Sequence, residues 1–403
     1  MTEPDRRIEP AGRLVIAARA VARLGRGHPW VYANEILETG SPDGLPPGAL
    51  VSLVSDKGEA MGLATFNRHS LIAARRLAES PKTVVDAAFF AARLGAAARL
   101  RERLLGRPFY RLAHGEADGL PGIVVERFGD VFVVQLNTAG AEMLAGVLLA
   151  GLRRAFKPAA VVLRRDAPVR RQEGLELAEP EVIGDLPDPV VAVPEGGVRF
   201  FADLAGGQKT GWYFDQRRNR DLVAGWAAGR RVLDLCCHGG GFALRAAAAG
   251  AREALGIDTA APALALAERA AEENGLSGCA RFLRADVRRA LKELAGAGER
   301  FDIVVADPPP FARVRRDVPG ALKAHARLAH DAARVVAEGG LLALASCSHH
   351  VSEEALLEAS ARGLRGAGRQ ARLIHAGGAD VDHPLLPALP ESRYLAMLFF
   401  ALD

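Results

Sequence analysis

The amino-acid sequence predicts a multidomain α/β protein: a β-rich N-terminal domain and a small central α/β domain, followed by a parallel sheet covered by helices on both sides. Three observations predict it. The chain of 403 residues exceeds what one hydrophobic core usually organises. Its first 75 or so residues read as short β segments broken by turn signals. From residue 231 onward, short aliphatic runs alternate with alanine-rich helical segments, and the runs are too apolar to leave a wet face.

In the N-terminal domain, set at 1–78, residues 50–54 and 61–65 are strand-like, with Gly/Pro/Asp punctuation at 44–48 and 56–58. Residues 84–105 carry Phe89, Leu94, Leu100, Leu104 and Leu105 at helical spacing among Ala and Arg. Strands are expected at 123–126 and 131–136, joined by Gly129-Asp130, a dipeptide suited to a hairpin. A helix over about 141–156 and a strand at 160–163 complete the central domain, set at 79–195. Residues 179–197, rich in Pro, Gly and Asp, read as a linker. In the last domain, 196–403, strands are expected at 231–235, 254–257, 281–284, 302–306 and 341–346, with helices between them.

A hydrophobic content of 49% with 25% charged residues leaves ample material for buried cores, so disorder is not the default. Residues 1–10 lack the apolar core of a secretory signal. The apolar stretches 13–24 and 89–105 are interrupted by arginines, which excludes a membrane span. Cys236, Cys237, Cys279 and Cys347 form neither a C-x-x-C pair nor a zinc-ligand cluster. Free thiols, a reducing cytoplasmic compartment and no metal are the expectation. Clusters at Arg164, Arg165, Arg170 and Arg171 and at Arg313, Arg315 and Arg316 accompany a pI near 9.0. They fit a polyanionic partner, and equally an ordinary solvated face.

The first strand after residue 231 ends in Asp234 and runs through Cys236, Cys237, His238 and Gly239 to Gly241, directly into an alanine-rich helix. Glycines there admit a nucleotide-like cofactor, and a helix start offers N–H groups; a tight turn with no ligand is the bland alternative. The second strand ends in Asp258, where a ribose diol would lie, and the third in Asp286, where an adenine amino group could be read. Leu244 breaks the G-x-G-x-x-G fingerprint that Gly239 and Gly241 would begin, and no Walker lysine is present. S-adenosylmethionine (SAM) is therefore favoured over a dinucleotide or a nucleoside triphosphate.

The fourth strand closes with Asp307-Pro308-Pro309-Pro310-Phe311, a rigid loop that would hold a carboxylate and a ring against a planar base. The fifth closes with Ser346-Cys347-Ser348-His349-His350. Cytosine C5 is too poor a nucleophile to attack SAM unaided, so a thiolate must first add at C6. Cys347 is the cysteine at a strand end near Asp307, which makes it the candidate nucleophile against the reading of an inert small hydrophobe. A free thiol, with a pKa of about 8.5, needs help to ionise. Cys236 and Cys237 are read as packing behind the cofactor, and His349 and His350 as secondary candidates to orient substrate or accept a proton.

Seven stretches then align with one known family: Gly27-His28-Pro29-Trp30, 114–122 with Gly129-Asp130, 207–211, 214–220, Asp307-Pro308-Pro309-x-Phe311, 346–351 and Glu391-Ser392-Arg393-Tyr394-Leu395. In this order, along nearly the whole chain, they resemble the RlmI-type 5-methylcytosine methyltransferases of 23S ribosomal RNA. The resemblance implies an N-terminal PUA RNA-binding domain, a Rossmann-like class I SAM methyltransferase domain with a mostly parallel seven-stranded sheet, and a homodimer. It implies that Lys209, Thr210, Phe214, Gln216 and Arg217 help hold SAM, beside Asp234, Gly239, Gly241, Asp258, Asp286 and Asp307. His28 and Trp30 fall in the RNA-binding domain it implies; Arg164, Arg171, Pro308 and Phe311 are assigned to the substrate RNA with them. The chain departs from the family at His238-Gly239, where Tyr-Thr is usual, at Arg165 in place of Ser, and at His325 in place of Tyr. Two rivals stand beside this reading. A methyltransferase of the same fold acting on guanine N7 would need no thiolate, and a catalytically silent RNA-binding module would need neither cofactor nor Cys347.

Overall fold

The computed structural model describes residues 7–39, 44–207 and 210–403, and the chain divides into two compact units. The first comprises Met1–Pro189, Leu204–Gly211 and Val381–Ser392; the second comprises Val190–Asp203, Trp212–Asp380 and Arg393–Asp403.

The N-terminal part of the first unit is a six-stranded sheet in the order Trp30–Val31, Ala74–Ala78, Ala60–Phe66, Ala49–Ser55, Arg13–Ile16, Ile36–Thr39. The strands expected at 50–54 and 61–65 lie near its centre. Ala49–Ser55 ends in alternating buried and half-buried residues, as a strand with one packed face should. One element adds to the β-rich expectation: Ala18–Gly25 is an α-helix with Ala20 and Leu24 buried. Its arginines interrupt the apolar run because the helix is amphipathic.

The remainder of this unit holds a five-stranded sheet in the order Ala178–Gly184, Ala160–Arg165, Val131–Leu136, Ile123–Phe128, Phe109–His114. The expected hairpin pairs Phe128 with Val131 around Gly129, whose φ of 66° is left-handed. The helix Ala87–Leu105 starts where Asp86 accepts the Phe89 N–H at 2.9 Å and stops at left-handed Gly106. It contributes Phe90 and Leu94 to a core shared with Val125, Val134 and Leu148. The helix expected over about 141–156 is broken at Leu144 into Ala139–Met143 and Ala145–Phe156. The linker expected at 179–197 is corrected outright. Ala178–Gly184 is the sheet's edge strand, and Val190–Glu195 pairs with Val198–Asp203 in a hairpin of the second unit. Proline cannot donate to a ladder, but an edge strand or a two-stranded hairpin has an unpaired side that tolerates Pro180 and Pro194.

The second unit is built on seven strands: β1 (Arg231–Leu235), β2 (Glu253–Asp258), β3 (Ala280–Arg284), β4 (Phe301–Ala306), β5 (Val336–Ser346), β6 (Ala371–Gly377) and β7 (Ala396–Leu402). Their order is β3-β2-β1-β4-β5-β7-β6. The first five are mutually parallel, and β7 runs antiparallel to both β5 and β6. β1 and β4 are buried nearly throughout, as strands covered on both faces must be. Leu233, Leu235, Val304 and Leu344 share a core with Ala329 of the helix Val318–Ala333 and with Leu356 and Leu364 of the helix Glu353–Gly366. Strand order reverses between β1 and β4, and in such sheets the ligand crevice lies at that point, beyond the carboxyl ends. Among the described residues no helix is long and apolar enough to cross a membrane.

Candidate active site

Between β1 and the helix Gly241–Ala248 the chain turns through three left-handed residues: Cys236 (φ 61°), His238 (φ 49°) and Gly240 (φ 75°). A Cβ at 240 would lie 2.8 Å from the Phe282 ring, and one at 241 would lie 3.1 Å from Arg220 Cδ, so the backbone stays bare at the helix start. Carboxylates tie this loop down. Asp258 accepts the main-chain N–H groups of His238 and Ala260, both at 2.9 Å. Asp286, exposed, caps the helix Val287–Gly296 by accepting from Arg289 N at 3.0 Å. Asp234 accepts from Ala243 N at 3.0 Å and is fully buried, its other oxygen without a partner among the described residues. Burial pushes its carboxyl up to about 8, with Asp307 and Asp258 adding to the rise. The expectation that Asp234 touches the cofactor is therefore corrected: its side chain pins the loop from beneath.

The segment leading into the helix Arg217–Trp226 holds the next group. Lys209 lies outside the described residues, and Thr210 is buried within the first unit's Leu204–Gly211. Phe214 is 1% exposed, and Arg217 lies over its ring and pairs with Asp380 at 2.6 Å. Phe214 and Arg217 are thus committed to protein partners, which corrects their expected contact with cofactor. Gln216 does reach the crevice: its Nε2 donates to Asp307 Oδ2 at 2.8 Å.

Two residues here escaped the sequence reading. Tyr213 has its phenol pushed up by burial and by the charges of Asp307, Asp215, Cys347 and Asp258, and its ring meets that of His238 edge-on at 5.1 Å. It falls between two recognised motifs, so only the fold brings it to the site. Glu195, 2% exposed, accepts from Arg220 at 2.6 and 2.8 Å and from Trp212 Nε1 at 3.2 Å. A signal for it existed: Arg217, Arg218 and Arg220 crowd one turn, and arginines held at a buried site need acidic partners.

Asp307 and Cys347 follow the ends of the adjacent parallel strands β4 and β5. The Cys347 thiol donates to the Pro308 carbonyl at 3.6 Å, and Ser348 Oγ donates to Ala312 O at 2.8 Å, so the end of β5 holds the Asp-Pro-Pro loop. Pro308 is buried, with its carbonyl on this thiol. Phe311 is 36% exposed and meets the ring of His325 at 4.8 Å, edge to face. Burial lowers His325 to about 4, so it is neutral near pH 7. Burial and neighbouring carboxylates push the thiols of Cys236 and Cys237 up, which disfavours them as nucleophiles. His349 and His350 are exposed, with His349 5.5 Å from the Tyr394 ring.

The RNA assignments in the first unit fare unequally. Arg171 is exposed. Arg164 is corrected: it is 4% exposed, with Nε and Nη2 on Asp166 at 3.1 and 2.5 Å and Nη1 donating to Gly207 O at 2.8 Å. Trp30 donates from Nε1 to Glu116 at 2.8 Å beneath the Arg75 guanidinium. His28 is buried, accepts from Trp30 N at 3.2 Å, and lines a groove of about 560 Å³ with Arg23, Arg26 and Tyr32.

A family model described as a PUA-like domain matches residues 14–79, and one described as an S-adenosylmethionine-dependent methyltransferase matches residues 179–377. The ribosomal RNA large subunit methyltransferase I of Erwinia tasmaniensis is 35% identical over 387 residues, covering 95% of this chain and 97% of its own length. Its counterpart from Escherichia coli O157:H7 is 34% identical with the same coverage. Among solved structures, a candidate SAM-dependent methyltransferase from Streptococcus mutans superposes with a TM-score of 0.80 at 18% identity, covering 96% of this chain and 99% of that one. A candidate methyltransferase solved with SAH gives a TM-score of 0.82 at 19% identity, with the same coverage. At these identities the likeness to both structures is one of fold.

Proposed function

This chain belongs to the ribosomal RNA large subunit methyltransferase I family, and on that premise we propose that it methylates C5 of a cytosine in 23S ribosomal RNA, in the cytoplasm. It is a SAM-dependent methyltransferase with a PUA-like domain. The residues present fit that cofactor. The loop 236–241 leaves bare backbone at a helix start, and Asp258 and Asp286 flank it at the ends of β2 and β3. Gly239, Gly241, Asp258 and Asp286 would hold SAM, which supplies an electrophilic methyl group to the activated base carbon.

The observation that carries the cytosine reading is the Cys347 thiol lying on the Pro308 carbonyl, next to Asp307. A thiolate adding to C6 of the base turns C5 into an enamine-like carbon able to take the methyl group. Asp307 hydrogen-bonds the N3/N4 edge and stabilises the adduct. Loss of the C5 proton then restores the ring and expels the Cys347 thiolate. The base has to leave its stack to reach this loop, and the half-open Phe311 ring offers it an apolar face. The PUA-like domain and the five-stranded sheet of the first unit grip the RNA through phosphates and shape.

Cys347→Ala tests this. Methyl transfer to unmethylated 23S ribosomal RNA should be lost while calorimetric SAM binding persists, and RNA containing 5-fluorocytosine should trap an adduct with the unaltered protein alone. Full methylation by Cys347→Ala would overturn the thiol adduct. A 7-methylguanine product, identified by nucleoside mass spectrometry, would sink the cytosine assignment.

A further inference from the structure

We propose that Gln216 and Asn219 form a relay that sets the rotation of the Asp307 carboxylate, which makes both of them positioning residues for methyl transfer. The proposal rests on the reading of Asp307 as the group that meets the base. Gln216 closes the turn Phe214–Gln216 and is 3% exposed. A carboxamide can present either end to a neighbour, and here the network decides which. The Gly378 carbonyl can only accept, so Asn219 turns its Nδ2 toward it, at 3.1 Å. The same Nδ2 donates to Gln216 Oε1 at 2.6 Å. With its oxygen engaged, Gln216 presents Nε2 to Asp307 Oδ2, at 2.8 Å.

A second observation shows that the surroundings are fitted to Asn219, itself 3% exposed. A Cβ at Gly377 would lie 2.4 Å from Asn219 Oδ1, so the end of β6 is kept bare where the amide passes. The relay has one polarity, running from the Gly378 carbonyl outward to the carboxylate. It holds Oδ2 of Asp307 as an acceptor and keeps the carboxylate plane from swinging. A carboxylate held in this way suits the N4 amino group of cytosine, whereas uracil would set the O4 lone pairs against it.

Asn219→Asp keeps the size of the side chain and reverses the relay. A carboxylate at 219 can only accept, so Gln216 has to turn Nε2 toward it and face Asp307 with its own oxygen. In single-turnover methylation of unmethylated 23S ribosomal RNA, the rate should fall about 10- to 100-fold, the scale of a hydrogen bond to a charged group. The dissociation constants for SAM and RNA should stay within about twofold, and adduct formation on 5-fluorocytosine RNA should slow in parallel. Gln216→Leu should give the same loss, and the double variant no more than either single one. Should Asn219→Asp not fold, Gln216→Leu carries the same rate prediction. An Asn219→Asp protein that methylates at the unaltered rate, or whose loss lies wholly in SAM affinity, overturns the relay. Asp307→Asn and Cys347→Ala in the same assay separate the two levels. If they are fully active, the underlying reading fails; if they are inactive while Asn219→Asp is unimpaired, only the relay does.

Discussion

Glu195→Ala is expected to destabilise the second unit by about 3–4 kcal/mol. Burial on its own would push this carboxyl up, yet Arg220 and Arg217, with Trp212, hold it below the usual carboxylate range. Removing one member of a buried ion pair leaves the other charge without compensation, which costs about 3–5 kcal/mol. The lower part of that range applies here, because Arg217 keeps Asp380 at 2.6 Å and Arg220 keeps the Tyr213 carbonyl at 2.9 Å. Loss of the acceptor for Trp212 Nε1 adds about 1 kcal/mol. Urea unfolding in a Trp30→Phe background measures it, since Trp212 and Trp226 then report on the second unit alone. The folded carboxyl lies below its unfolded value, so its contribution is present above the unfolded pKa and is lost as pH falls through the folded one. The difference between the two proteins should therefore shrink in acid. Glu195→Leu combined with Arg220→Met should recover most of the loss, as replacing a whole buried pair commonly does. A cost below about 1 kcal/mol, the scale of an exposed pair, would refute the reasoning.

Three further outcomes are expected. His325 has a folded pKa of about 4, below its unfolded value, so the unfolded chain takes up a proton that the fold excludes. Stability should be full above about pH 6.5 and should drop by about 3 kcal/mol on the way to pH 4, a loss that His325→Leu escapes; equal acid sensitivity of the two proteins in urea melts would contradict this. Gly240→Ala combines a φ of 75° with a Cβ 2.8 Å from the Phe282 ring, so it should cost about 1–2 kcal/mol and weaken calorimetric SAM binding, with Phe282→Leu restoring part of both. Arg164→Ala should lower the melting temperature and leave the salt dependence of RNA binding unchanged, whereas Arg171→Ala should leave stability within about 0.5 kcal/mol and reduce the salt slope by about 1. The opposite pattern would return Arg164 to the RNA.

The core of the second unit was legible in the sequence because a strand packed on both faces carries its own mark, an unbroken aliphatic run before an alanine-rich helix. β6 lacks that mark: it is exposed along nearly its whole length. β7 is an apolar run, but it enters antiparallel, outside the alternation that pointed to the others. The placing of Asp307 and Cys347 at one edge was legible because adjacent parallel strands deliver their last residues to one edge, so a motif at a strand end has its neighbours set by topology. Arg164 was misread because a pair of arginines records charge and not direction. Strand alternation turns Arg164 inward, while Arg165 reaches Glu142 and Glu181 near the surface. Phe214 and Arg217 were misplaced for a related reason: a motif can mark the packing behind a site as readily as the site itself.

Val381–Ser392 belongs to the first unit, although translation delivers it after nearly all of the second. Asp382 accepts the Arg111 N–H at 3.0 Å, and its carbonyl accepts from Arg101, a wholly buried residue that also grips Asp118 at 2.6 and 2.7 Å. A nascent chain that has emerged only as far as Pro189 therefore still lacks part of its own interior. The first unit can close only once 381–392 has emerged, and the second only when β7 has followed it. A fragment cut at that residue should need 381–392 supplied as a peptide, or joined on by circular permutation, before it folds.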